Sequence, residues 1–189
     1  MEKDILIKKG QFISFFKKQG WEYVRRTNCR GVVIVLAVTD ENEVIFTEQY
    51  RIPLGRKVIE FPAGLIADGP HRKKESALDA ARRELLEETG YRAKRIQKII
   101  EGPTSSGLTS DTIIMVRALG LRKISPGGGD ETEAIVVHAV PLASAEKWLS
   151  RMRRKGYLVD PKVYAGLYFL NKYNKQNSSC GYHESIAQI

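Results

Sequence analysis

The stretch SALDAARRELLEETG, residues 76–90, reads as one helix with both ends marked. Ser76 with Asp79 three residues on forms a capping-box-like start, and Gly90 is a suitable C-terminal stop. Leu78, Ala81 and Leu85 recur at helical spacing, so they form an apolar stripe that needs a second layer to cover it. Glu84, Glu87 and Glu88 stand at i, i+3 and i+4, so their carboxylates leave the helix on one face. Like charges this close destabilise a helix by about a few tenths of a kcal/mol per pair, and here they crowd the end whose dipole disfavours anions. Two local rules broken in one place mark a functional site. A hard divalent cation such as Mg²⁺, which takes oxygen ligands, would resolve both; a solvated acidic face is the alternative.

The rest of the chain supplies strands for that helix to lie on. GVVIVLAV (31–38) is a continuous β-branched run, consistent with a strand buried on both faces. TDENE then supplies turn residues and EVIFTEQY (43–50) resumes as a strand, so the two are expected to pair as a hairpin. KVIEFPAG (57–64) is a shorter strand stopped by Pro62 and Gly64, and TIIMVRAL (112–119) and EAIVVHAV (133–140) are two more. Further helices are expected over LASAEKWLSRMRRK (142–155) and from Pro161, with Asp160 as its cap. The tail, residues 174–189, lacks periodicity and reads as disordered. Mixed strands with few helices imply an α/β layered domain.

Composition narrows the function classes. With 189 residues, 42% of them hydrophobic, the chain suffices for one core, expected over residues 1–173. The 31 Lys+Arg against 22 Asp+Glu give a net charge of +9, which favours anionic partners such as nucleotides; the same surplus also serves solubility alone. No apolar run approaches a membrane span, and the start lacks a signal-peptide core, so a cytoplasmic protein without membrane contact is expected. Two cysteines make no disulfide framework, and no Cys/His metal spacing exists.

Spacing around the acidic cluster separates the two readings of it. From Gly69 the chain runs five residues to Glu75, seven more to Arg83-Glu84-Leu85, one to Glu87-Glu88, and one to Gly90 followed by apolar Tyr91. This matches every fixed position of GX5EX7REUXEEXGU (U apolar), so the chain resembles the Nudix hydrolases. WEYVRRT (21–27), TEQYRIPLGRKVIEFPAGLI (47–66), SGLTSD (106–111) and DETEAIVVHAVPL (130–142) are similar to the branch that hydrolyses ADP-ribose and related nucleoside diphosphate sugars. The resemblance implies a mixed β-sheet sandwiched between helices (α/β/α) with an N-terminal β-strand arm over residues 1–28. It implies that Glu84, Glu87 and Glu88, with the carbonyl of Ala63, hold two or three Mg²⁺, with Mn²⁺ as a substitute. Arg83 and Glu87, at i and i+4, can pair and hold a carboxylate in orientation; an exposed pair worth under about 1 kcal/mol is the alternative.

In that branch the catalytic base comes from a loop, here ISPGGGDETEA (124–134). Spacing alone leaves a solvated connection open; the resemblance points to Glu131 as the base that activates water, with Glu133 second. It also implies that Trp21 stacks on the nucleobase, Glu22 accepts from an exocyclic amine, Arg26 lies near the phosphates and Phe12 offers a second stacking face. Core or dimer packing is the other reading of both aromatics. Arg51 suits a diphosphate through its two-pronged guanidinium, and Ser110 and Asp111 stand where related enzymes touch the terminal sugar. Members specific for ADP-ribose carry a proline where this chain has Ser106, so a broader nucleoside diphosphate sugar hydrolase is expected. Homodimers with crossing N-terminal strands are usual in the branch. The rival expectations are hydrolysis of capped RNA or dinucleoside polyphosphates, with the basic run RMRRK (151–155) on RNA, and a non-catalytic nucleotide-binding module.

Overall fold

The computed structural model describes residues 3–69, 71–129 and 134–180. Three strands, β1 (Ile5–Lys9), β2 (Ile13–Lys18) and β3 (Trp21–Arg26), form an antiparallel sheet of their own at the N-terminus. Then follow β4 (Val32–Ala37), β5 (Glu43–Arg51), β6 (Arg56–Glu60), β7 (Ala63–Leu65), α1 (Ala77–Thr89), β8 (Tyr91–Pro103) and β9 (Thr112–Lys123). The chain closes with β10 (Val136–Pro141), α2 (Ala145–Arg154), β11 (Leu158–Val159) and α3 (Pro161–Cys180). Two four-stranded mixed sheets result, ordered β7-β4-β9-β8 and β10-β5-β6-β11. The mixed α/β fold is as expected, but the strands divide between two sheets.

β4 explains the layering. Its alternate residues serve different cores: Val33, Val35 and Ala37 face α1, packed with Ala80, Ala81 and Leu85, while Ile34 and Leu36 face Phe46 and Ile59 of the second sheet and Leu149 and Leu167 of α2 and α3. A strand that is β-branched on both faces can be satisfied only between two layers. The hairpin expected from β4 and β5 does not form. β4 pairs in parallel with β9, β5 pairs with β6 and β10, and between them lies only an isolated bridge, Val38 to Val44. The turn, with Asn42 at φ 60°, moves the chain from one sheet to the other, because pairing both strands side by side would leave each with an uncovered apolar face.

Other boundaries shift for local reasons. The helix expected from residue 142 begins with a 3-10 turn at Leu142–Ser144. β8 carries no strand periodicity in its sequence because it is rich in Arg and Lys, and of its thirteen residues only Ala93 and Ile96 are buried, three apart rather than two. Asp160 caps α3 as read, its side chain accepting from the Lys162 amide at 2.8 Å. That helix runs on to Cys180, into the segment read as a tail; residues 181–189 lie outside the described residues.

α1 forms as its sequence dictates. The Ser76 hydroxyl accepts from the Asp79 amide at 3.1 Å, and Gly90, at φ 71°, returns its amide to the Leu86 carbonyl at 2.8 Å. Leu85 is fully buried beneath it, whereas Leu78, at the first turn, stays partly exposed. Replacing Leu85→Ala should therefore cost about 2–5 kcal/mol of unfolding free energy. Urea denaturation would measure it, and a loss below about 1 kcal/mol would mean that α1 is not anchored there.

Candidate active site

The site is assembled around Arg83. Its Nε donates to Glu75 Oε1 at 2.9 Å, and its Nη1 to Glu84 Oε1 at 2.6 Å and Glu87 Oε2 at 3.1 Å. Its Nη2 donates to the Leu65 carbonyl at 3.1 Å and to Glu75 Oε2 at 3.2 Å. The expected Arg83–Glu87 pair is present as one part of this larger fork. The side chains of Arg83, Glu75 and Glu84 are each less than a fifth exposed, while Glu87 is about half exposed. Glu75 also accepts from the Ala67 amide at 3.0 Å, which ties the loop before α1 to the helix.

Charge shifts follow this geometry. The Arg83 hydrogen bond, chiefly, holds the Glu75 carboxyl below the usual range against the opposing effect of burial, and the Ala67 amide adds to it. Burial alone would lower the Arg83 pKa; hydrogen bonds to Glu75 and Glu84 outweigh it and raise the value. Sequence reasoning gave Glu75 no role. The signal was there, since Glu75 and Arg83 are both fixed positions of the motif.

The turn before β7 completes the constellation. Glu88 is buried, and its Oε2 accepts from the Ala63 amide at 3.2 Å. Ala63 thus reaches the site, and the contact found is through its N–H. A Cβ built on Gly64 would lie 1.8 Å from the Glu84 carboxyl carbon, so only glycine leaves room for that side chain. Among the described residues no three acidic, histidine or cysteine side chains converge closely enough to hold an ion as they stand. Their chemistry nevertheless fits one: the donors are all carboxylate oxygens, which suit a hard divalent cation, and an arginine now offsets two of the charges that such a cation would offset.

Arg83, Glu84, Glu87 and Gly64 line a cleft of about 750 Å³ together with Arg26, Arg51 and Ala63. Arg51 donates to Glu60 Oε2 at 2.7 Å, and Arg26 pairs with Asp111 at 3.2 Å. Lys162, at the start of α3, also lines the cleft, as does Arg72, and neither was singled out from sequence. Only the return of α3 and of the loop before α1 to this face brings them in.

Trp21, Glu22, Phe12 and Ser110 are not part of that wall. Trp21 is largely exposed and donates to the Gly107 carbonyl at 3.0 Å. It lines a separate hollow of about 380 Å³ with Tyr23, Ser106 and Ser110. Ser110 accepts from Arg25 at 3.1 Å, and Arg25 itself pairs with Asp4 at 2.7 Å. Glu22 is exposed on β3, and Phe12 is exposed between β1 and β2. Glu131 and Glu133 lie outside the described residues.

Residues 28–163 match the NUDIX domain family, and the chain belongs to it. The chain is 33% identical over 141 residues to a methanol dehydrogenase activator of Bacillus methanolicus, covering 74% of this chain and 71% of that one. Against the ADP-sugar pyrophosphatase of Mus musculus it is 33% identical over 186 residues, 85% of this chain and 82% of the relative. Against the ADP-ribose pyrophosphatase of Bacillus subtilis (strain 168) it is 40% identical over 118 residues, 62% and 61% of the two chains. A crystal structure of an ADP compounds hydrolase aligns with a TM-score of 0.71 over 93% of both chains at 22% identity, a likeness of fold. The resemblance read from the motif is borne out.

A carboxylate with a depressed pKa stabilises the fold above its unfolded pKa and ceases to do so as pH falls through its folded pKa. Stability should therefore drop as pH falls below about 4.5, and Glu75→Gln should flatten that drop. Identical acid dependence of the denaturation midpoint in both proteins would remove Glu75 from the network.

Proposed function

We propose that this protein hydrolyses the pyrophosphate bond of nucleoside diphosphate sugars such as ADP-ribose or GDP-mannose, releasing a nucleoside monophosphate and a sugar phosphate. The observation that carries the reading is the Arg83 fork. A mostly buried guanidinium, held by Glu75, orients Glu84 and Glu87 at the wall of a cleft that also presents Arg26, Arg51 and Lys162. Carboxylates arranged for cations beside cations arranged for phosphates suit a substrate that is a metal-bound diphosphate. The names of the mouse and Bacillus subtilis relatives support the same class.

In this reading Glu84, Glu87 and Glu88, with Ala63, hold Mg²⁺, or Mn²⁺ in its place. When bound, the ions neutralise the diphosphate and make its phosphorus open to attack. Arg51 and Arg26 hold phosphate oxygens, with Lys162 at the opposite end of the sequence contributing a third cation. Arg83 keeps Glu84 and Glu87 in orientation, and Glu75 keeps Arg83 in place. Glu131, with Glu133 second, takes the proton of the attacking water. Trp21, Glu22 and Phe12 serve the nucleobase, and Ser110 the sugar.

The enzyme is further proposed to be a cytoplasmic homodimer joined through the N-terminal arm. No helix among the described residues is long and apolar enough to cross a membrane. β1 to β3 form a separate sheet that leaves Ile5, Leu6, Ile7, Phe12 and Ile13 each about half exposed or more, an apolar surface that a second copy would cover. A dimer would also bring Trp21 and Phe12, which do not line this chain's own cleft, toward a partner's.

A panel of ADP-ribose, GDP-mannose, capped RNA and dinucleoside polyphosphates, assayed with Mg²⁺ or Mn²⁺ and coupled phosphatase, tests the substrate class. Faster turnover of capped RNA or dinucleoside polyphosphates than of either sugar nucleotide would sink it. Gly64→Ala, whose methyl must displace the Glu84 carboxylate, should lower turnover by at least about tenfold while circular dichroism stays that of the wild type. Unchanged turnover in that variant would show that the position of Glu84 does not matter.

A further inference from the structure

An α-helix leaves its last four carbonyls without an intrahelical donor. In α1 these belong to Leu86, Glu87, Glu88 and Thr89. All four are satisfied, three of them by a segment more than thirty residues further on. The Leu86 carbonyl accepts from Gly90 at 2.8 Å, that of Glu87 from the Gly129 amide at 3.1 Å, and that of Glu88 from the Gly128 amide at 2.8 Å. The Thr89 carbonyl accepts from the Lys123 ammonium at 2.6 Å.

Lys123 closes the joint. It donates also to the Pro126 carbonyl at 3.2 Å, and its ammonium stands 4.7 Å from the centroid of the Tyr91 ring. No basic residue lies in the last turn of α1, although that end of a helix favours a cation and here must bear Glu87 and Glu88. Lys123 brings the missing charge from the end of β9. The fit is close enough to exclude side chains. A Cβ on Gly127 would lie 2.4 Å from the Thr89 carbonyl carbon, and one on Gly90 would lie 1.9 Å from the Ser125 oxygen. Of the three consecutive glycines, Gly128 and Gly129 are bonded to the carboxylate helix and Gly127 packs against its last carbonyl.

We propose that Lys123, with the N–H groups of Gly128 and Gly129, is a positioning clasp that sets the backbone of Glu87 and Glu88 and the point from which the chain departs toward Glu131. Lys123 touches no reacting atom; it acts through the helix end. The joint thereby fixes the helix end that carries the carboxylates the proposed hydrolysis needs, and the inference rests on that reading.

Lys123→Met keeps the stem and removes the charge and donor, and Lys123→Arg restores both. Measurements on the full chain are amide hydrogen exchange at Gly128 and Gly129 without metal, and kcat and KM for ADP-ribose with Mg²⁺. The methionine variant should exchange both amides roughly tenfold faster and lose roughly tenfold in kcat with KM within about twofold, the arginine variant recovering most of each. Wild-type exchange at both glycines, or wild-type kcat per folded molecule even with a lowered Tm, would overturn the clasp. A wild-type protein inactive on every sugar nucleotide would instead overturn the hydrolase reading, and the exchange comparison would still decide the clasp.

Discussion

Arg83 stands among carboxylates that would repel one another without it, those of Glu75, Glu84 and Glu87, and it also donates to the carbonyl of Leu65. Because this guanidinium and two of its partners are mostly buried, the arrangement differs in kind from an exposed i, i+4 pair. An exposed pair is worth about 0.3–0.5 kcal/mol, whereas removing one member of a buried set costs about 3–5 kcal/mol because it strands the other charge. The same fork links three pieces of chain, the loop before α1, α1 itself and β7.

The cleft is a consequence of the layering. Its walls come from Val32 and Ile34 on β4, Ile113 on β9, Arg51 at the end of β5, Glu60 at the end of β6, and Lys162 at the start of α3. It therefore lies where the two sheets meet, with α1 providing the anionic side. β4, buried on both faces, keeps α1 on one side and the second sheet on the other. Carboxylates from one layer and cations from the next meet across a joint that neither layer could form alone.

Much of the site could be read from spacing because helical geometry is local. Glu84, Glu87 and Glu88 share a face by arithmetic, Ser76 and Gly90 bound the helix by their own chemistry, and the motif fixes Glu75 and Arg83 relative to them. What spacing could not give has a physical cause. Whether β5 pairs with β4 depends on which faces remain to be covered once β9 and α1 have packed, and nothing in residues 31–50 encodes that. Trp21 and Arg26 lie on one strand yet line different hollows, because the 104–111 segment packs beside β3 between them, an arrangement no spacing within residues 21–26 encodes.

The amino-acid order by itself determined the helix, its acidic face, its caps and the two-faced burial of β4, since each follows from dihedral preference and periodicity within a few residues. Only the folded chain decided that Glu75 holds Arg83, that Gly64 makes room for Glu84, that Lys162 joins the cleft and that Lys123 closes the helix end. Those partners come from separate elements or across intervening loops. Their meeting is set by how layers stack to bury apolar surface, a property of the whole chain and of no single segment.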